Sequence, residues 1–157
     1  MKHFGLLFFG ICFFLNISVF AQQEEKQFMD FSFITTDDSV HNLSDYSSKY
    51  VLLYFYNPEC SECNDLKKKI SKDEKINKLI EEKQLIVIAL VPEVKKEYWQ
   101  FFSNKIPKNW VNGWKEDDDI IIKKYLKKVP TLFLLDGQTR NIINRDFDHK
   151  ILIELLK

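Results

Sequence analysis

Apolar and polar positions change their spacing several times along this chain, and each change marks an element. Residues 28–34 set Phe31 and Phe33 against Asp30 and Ser32, a two-residue period that predicts a strand. Thr36-Asp37-Asp38-Ser39 reads as a turn, and residues 40–43 as a short returning strand that closes a hairpin. Ser44-Asp45 suits a brief helical turn before Lys49. Residues 51–56 are continuously apolar, as expected of a strand buried on both faces, and Asn57-Pro58 ends it. A helix follows from about residue 60, with Cys63, Leu66 and Ile70 on one face. A break near residues 71–73 precedes Ile76, Leu79 and Ile80, which continue the stripe to about Lys83. Residues 85–91 predict a second buried strand closed by Pro92. Residues 93–104 predict a helix with Tyr98, Phe101 and Phe102 on its apolar side. Residues 110–114 suggest a brief strand around Gly113. Residues 117–128 suggest a helix with carboxylates at its positive end and lysines at its negative end. Residues 131–135 form a third apolar strand, Asp136-Gly137 a turn and residues 142–145 a returning strand. Asp148 caps a last helix carrying Ile151, Leu152, Leu155 and Leu156.

Strands alternating with helices, then a final hairpin, predict an α/β fold with a mixed sheet. The length of 157 residues suits one domain. Lys+Arg and Asp+Glu each number 23, and only Arg140 and Arg145 are arginines. Balanced charge and lysine-dominated cations argue against nucleic acid as a partner.

The start of the chain has a separate character. Lys2 and His3 precede an apolar run over residues 4–15, and Val19-Phe20-Ala21 places small residues where a leader is cut. The expected organisation is a signal peptide over residues 1–21, a short flexible lead-in over 22–27 and a domain over 28–157. The alternative is an uncleaved leader that anchors the chain to a membrane. Cys12 lacks the small preceding residue that lipidation requires, since Phe9-Gly10-Ile11 stands there. The leader directs the protein to a periplasmic or secreted location.

Two cysteines then remain, Cys60 and Cys63, in an oxidising compartment. Cys60-Ser61-Glu62-Cys63 follows the strongest strand and opens a helix. Unpaired backbone N–H groups and a partial positive charge at a helix start favour the thiolate at Cys60. Cys63, one turn on, can attack a mixed disulfide made by Cys60. A purely structural bridge is the first alternative, although so small a loop gains little from closure. A zinc or copper site is the second. Tetrahedral zinc takes four ligands, and beyond this pair only His41 and His149 are available. His149 reads better as an exposed first-turn residue. Trp99, Trp110 and Trp114 are expected in the core, and Lys67-Lys68-Lys69 on a solvated helix face.

The run from Val51 through Asn57-Pro58-Glu59 to Cys60-Ser61-Glu62-Cys63, with Val129-Pro130-Thr131-Leu132-Phe133-Leu134-Leu135-Asp136 about seventy residues on, resembles the thioredoxin superfamily. The likeness is to its secreted TlpA-like thiol–disulfide oxidoreductases of the Bacteroidetes type, from about residue 28 to the end. The resemblance implies a thioredoxin fold, a central mixed sheet with helices on both faces, here with an N-terminal β-hairpin extension. It implies that Cys60 is the nucleophile and Cys63 the resolving thiol. It also implies a cis Val129–Pro130 bond beside them, with Val129, Pro130 and Thr131 holding an extended substrate. The partners are client proteins with cysteines or disulfides and a thiol protein that exchanges electrons. No cofactor is implied beyond the Cys60–Cys63 disulfide.

The departures matter as much. Glu59 stands where thioredoxins carry Trp, and Ser61-Glu62 where they carry Gly-Pro. Tyr54 stands where a buried Asp shuttles the proton, and Leu66 where TlpA-like proteins often use Glu. Glu59 and Glu62 oppose further negative charge at Cys60, so its pKa is expected above about 5 and its potential on the reducing side. The missing proton shuttle keeps a second class open: a non-catalytic thioredoxin-like binding module or a Cu(I) metallochaperone. A peroxidase fits less well, because Asn57 stands where a Thr or Ser is usual.

Overall fold

The two longest apolar runs lie side by side and parallel at the centre of a seven-stranded sheet. A computed structural model describes residues 26–92, 94–115 and 124–157. Its strands are β1 (Ser32–Thr35), β2 (Val40–Asn42), β3 (Tyr50–Phe55), β4 (Leu85–Val91), β5 (Val111–Trp114), β6 (Thr131–Asp136) and β7 (Ile142–Arg145). The spatial order is β2-β1-β5-β4-β3-β6-β7. β3, β4 and β5 run parallel, while β6, β7, β1 and β2 join antiparallel. This is the mixed sheet with an N-terminal hairpin that the resemblance implies.

The helices are α1 (Ser61–Lys72), α2 (Glu74–Glu81), α3 (Lys96–Phe102) and α4 (His149–Leu155). Asp73 makes the break between α1 and α2, its carboxylate accepting the Ile76 N–H at 3.1 Å. Asp148 caps α4 in the same way through the Ile151 N–H at 2.9 Å. The segment expected to be helical over residues 117–128 lies mostly outside the described residues. So does the leader.

Alternation along β3 sends Leu52 and Tyr54 to one face, and Val51, Leu53 and Phe55 to the other. The first face meets Cys63 and Ile70 of α1, Ile76 of α2, Trp99 of α3 and Leu152 of α4. The second meets Phe28, Phe31, Leu43 and Tyr125, the last within a helical stretch at residues 124–125.

Two expectations are corrected. The first strand begins at Ser32 and not at residue 28. The Phe28 N–H donates to the Arg140 carbonyl at 2.9 Å, and the Ile142 N–H to that of Lys26 at 2.9 Å. Residues 26–28 are therefore tied to the β6–β7 turn, beside an isolated bridge between Gln27 and Asn141. In α3 the buried residue is Trp99, while Phe101 is 76% exposed. Trp99 turns inward because it offers the larger apolar body and an indole N–H that donates to Asn112 Oδ1 at 3.0 Å.

Candidate functional site

Strand β3 delivers the chain to a tight turn. Asn57 Oδ1 accepts the Glu59 N–H at 2.9 Å, and the Asn57 carbonyl accepts the Cys60 N–H at 3.1 Å. Cys60 is thereby set as the N-cap of α1, with extended backbone angles. Its Sγ accepts the Cys63 N–H at 3.1 Å. A helix N-terminus thus points an unpaired donor at the sulfur, as the sequence implied. The two cysteines are disulfide-bonded with their Cα atoms 5.2 Å apart. Cys60 is half-buried and Cys63 fully buried, so the outer face of the pair belongs to Cys60.

The register of β3 against β6 brings the second motif to the same end of the sheet. Phe55 pairs with Thr131, which puts the Val129–Pro130 bond level with the start of the cysteine turn. That bond is cis. Val129 and Cys60 pack against the same apolar cluster. Thr131 is buried, and its hydroxyl donates to the Lys128 carbonyl at 2.8 Å. Its side chain therefore shapes the bend.

Glu59 and Glu62 are both exposed but face different clefts. Glu59 shares a cavity of about 290 Å³ with Asn57, Val94, Lys95 and Tyr98. Glu62 borders a larger cleft between α1 and the start of α4. The Tyr98 phenol is pushed up to about 12, first by burial and then by the Glu59 carboxylate. His149 is not a free first-turn residue, since its Nε2 lies 3.1 Å from Asp73 Oδ2 and links α4 to the α1–α2 junction.

Tyr54 occupies the interior position behind Cys63. It is fully buried, and its hydroxyl donates to the Cys63 carbonyl at 2.6 Å. Burial, and then Tyr56 stacked at 5.2 Å, pushes its phenol far above the ordinary tyrosine value. It is a neutral donor that fixes the first turn of α1, and it accepts no proton from Cys63. Leu66 packs in the same core.

Sequence reasoning passed over Asn64. Its amide donates to the Pro58 carbonyl at 3.0 Å and the Cys60 carbonyl at 3.1 Å, while Lys67 Nζ donates to its Oδ1 at 3.0 Å. The available signal was a carboxamide four residues after Cys60, one helical turn on and on the same side. Each such bond is worth about 1 kcal/mol net. Asn64→Ala should therefore lower stability by about 1–2 kcal/mol, read as a reduced urea midpoint, and should speed reaction of the turn with small thiols.

Among the described residues no group of three or more His, Cys, Asp or Glu side chains is placed to hold a metal ion. A Cys-x-x-Cys disulfide at a helix start, on a mixed sheet, is the arrangement of a thiol–disulfide oxidoreductase active site. Solved structures resemble the fold. A thioredoxin-like protein from Bacteroides caccae is 28% identical with a TM-score of 0.75; the match covers 83% of this chain and 48% of that one, so this chain spans about half its length. A conserved protein of unknown function from Bacteroides fragilis is 28% identical with a TM-score of 0.77, covering 83% and 96%. A domain of a possible thiol-disulfide isomerase from Cytophaga hutchinsonii, at 24% identity and a TM-score of 0.64 over 83% and 88%, shares the fold. No curated protein matches the chain. Residues 42–145 match the family described as thioredoxin-like domain, and they include both cysteines and the cis proline. With sheet, turn and bend in agreement, the chain belongs to the thioredoxin-like domain family.

Proposed function

We propose that this protein is an extracytoplasmic thiol–disulfide oxidoreductase of the TlpA-like kind that reduces disulfides in client proteins. The observation that carries the reading is the asymmetry of the pair, a half-buried Cys60 at the N-cap and a wholly buried Cys63 one turn in. The reading of residues 1–21 as a leader supports the location, and relatives described as thioredoxin-like or as a possible thiol-disulfide isomerase support the chemistry.

In the reduced protein the Cys60 thiolate attacks one sulfur of a client disulfide. A Cys60–client bond forms, the client's own S–S bond breaks, and the released sulfur takes up a proton. Cys63 gives its proton to water and attacks Cys60 Sγ. The Cys60–Cys63 disulfide closes, and the client's second sulfur leaves as a thiol. The client gains two electrons and two protons, which a thiol protein restores to the pair. The backbone at Val129, Pro130 and Thr131 holds the client in extended form. Glu59 and Glu62 restrain the build-up of negative charge at Cys60.

Equilibration of the pair with glutathione or dithiothreitol tests the direction. The expected potential is near the thioredoxin value of about −270 mV. A value near −120 mV would make the protein a donor of disulfides. Failure to cycle, with copper retained by the reduced pair, would replace the enzyme by a binding module.

A further inference from the structure

Phe101 projects from α3 with 76% of its surface exposed. It is not isolated. Its ring meets Phe102 edge-on at 4.9 Å, and Phe102 lies 4.9 Å from Tyr98. Tyr98 in turn walls the cavity that contains Asn57 and Glu59, the residues that set and precede Cys60. The aromatic strip therefore starts at a cavity shared with Glu59, the residue before Cys60, and continues along α3.

Its far end is basic. Lys105 Nζ sits 4.4 Å over the Phe102 ring. Lys67 of α1 is committed to the cysteine turn, its Nζ donating to Asn64 Oδ1 at 3.0 Å. Among the described residues neither Lys67 nor Lys105 is paired with a carboxylate. An ammonium over a ring, at the end of an apolar strip, fits a ligand that carries both an apolar group and an anionic one.

We propose that the α3 strip of Tyr98, Phe102 and Phe101, closed by Lys105, docks an extended client segment that bears an aromatic or long aliphatic side chain followed by a carboxylate. The inference rests on Cys60 as the client-facing cysteine, because continuity with that sulfur is what makes the strip a client track. A polypeptide is the fitting occupant, since a folded, polar client surface would leave Phe101 in water. Docking there would hold the client beside Cys60 through the weak covalent exchange.

The test separates docking from redox chemistry. A fluorescent peptide with one Phe and one Asp, and serine in place of cysteine so that no exchange occurs, is titrated with the oxidised protein and followed by anisotropy. Phe101→Ser should weaken binding by roughly tenfold or more. Lys105→Glu should weaken it too, and should favour a peptide with Lys in place of Asp. Both changes are at exposed side chains, and unchanged urea midpoints would show that the variants fold. Equal binding by all variants would overturn the proposal. So would a Phe101→Ser effect confined to self-association in sedimentation, which would make the strip a contact between copies. Reduction of hydroxyethyl disulfide by the unaltered protein, measured alongside, reports on Cys60 alone, so its failure would fall on the redox reading and not on the track.

Discussion

Replacing Cys63 with serine should yield a protein that captures clients and does not release them. Cys60 keeps its position at the N-cap, and the backbone N–H of residue 63 still points at its sulfur. The serine hydroxyl cannot displace a thiol from the mixed disulfide, so release waits for an external thiol. Well-oriented intramolecular attack reaches effective molarities of about 10⁵ M or more, so turnover on a protein disulfide should fall by roughly a thousandfold at least. The folded state should survive. A buried hydroxyl without a partner costs about 1–3 kcal/mol, and the lost bridge closed only a short loop. The check is a non-reducing gel and mass spectrometry of adducts formed with oxidised clients and cleared by dithiothreitol. Cys60→Ser should form none. Adducts from Cys60→Ser, or their absence from Cys63→Ser, would reverse the assignment of the two cysteines.

In the unaltered protein the side chain behind the pair is a phenol and not a carboxylate. Tyr54 holds the Cys63 carbonyl through a neutral phenol, and its neighbours are Tyr56 and Trp110. Tyr56, raised by burial, is neutral as well. The tyrosine hydroxyl of residue 54 spends its hydrogen on the backbone, so it steadies the helix start without drawing the Cys63 proton. Neither phenol is therefore an acceptor for the Cys63 proton during resolution.

Much of this was legible in the sequence, for identifiable reasons. Residues 51–56 and 85–91 are apolar without interruption because both faces of β3 and β4 are covered. Asp148 announced its helix because capping is a local bond, made within three residues, and the break expected near residues 71–73 is where Asp73 caps α2. The Cys60–Cys63 site was legible for the same reason, being built within four residues. What the sequence concealed depends on distant partners. The alternation across residues 28–34 looked like one strand. Phe28 and Phe31, though, sit three apart and serve the same buried face, while the backbone of residues 26–28 bonds to a turn more than a hundred residues away. The bond from Tyr54 to Cys63, and the outward turn of Phe101 once Trp99 claims the core, are likewise set by tertiary placement. Local periodicity carries no record of either.

Phe28→Ala should be the most damaging change away from the cysteines. Phe28 is completely buried although it precedes every strand. Its ring stacks on Tyr125 at 4.1 Å, meets Phe133 edge-on at 5.0 Å and lies 6.0 Å from Phe31. Removing a ring from such a site costs about 3–5 kcal/mol, through lost transfer energy and the cavity left behind. That is a large share of the roughly 5–15 kcal/mol that holds a typical domain together. The second face of the sheet depends on this ring more than the sequence suggests, because Phe28 and Phe31 bring the N-terminal segment over β3 and β6. Urea unfolding should show a midpoint lowered at an unchanged slope, whereas Val40→Ala, at a residue 68% exposed, should hardly move it. The cysteine pair lies on the opposite face, with Cys63 in the other cluster. The potential of the Cys60–Cys63 couple should therefore stay at its original value in whatever fraction of Phe28→Ala remains folded. A shift in that potential would mean that the two faces are coupled through β3, whose end carries the active-site turn.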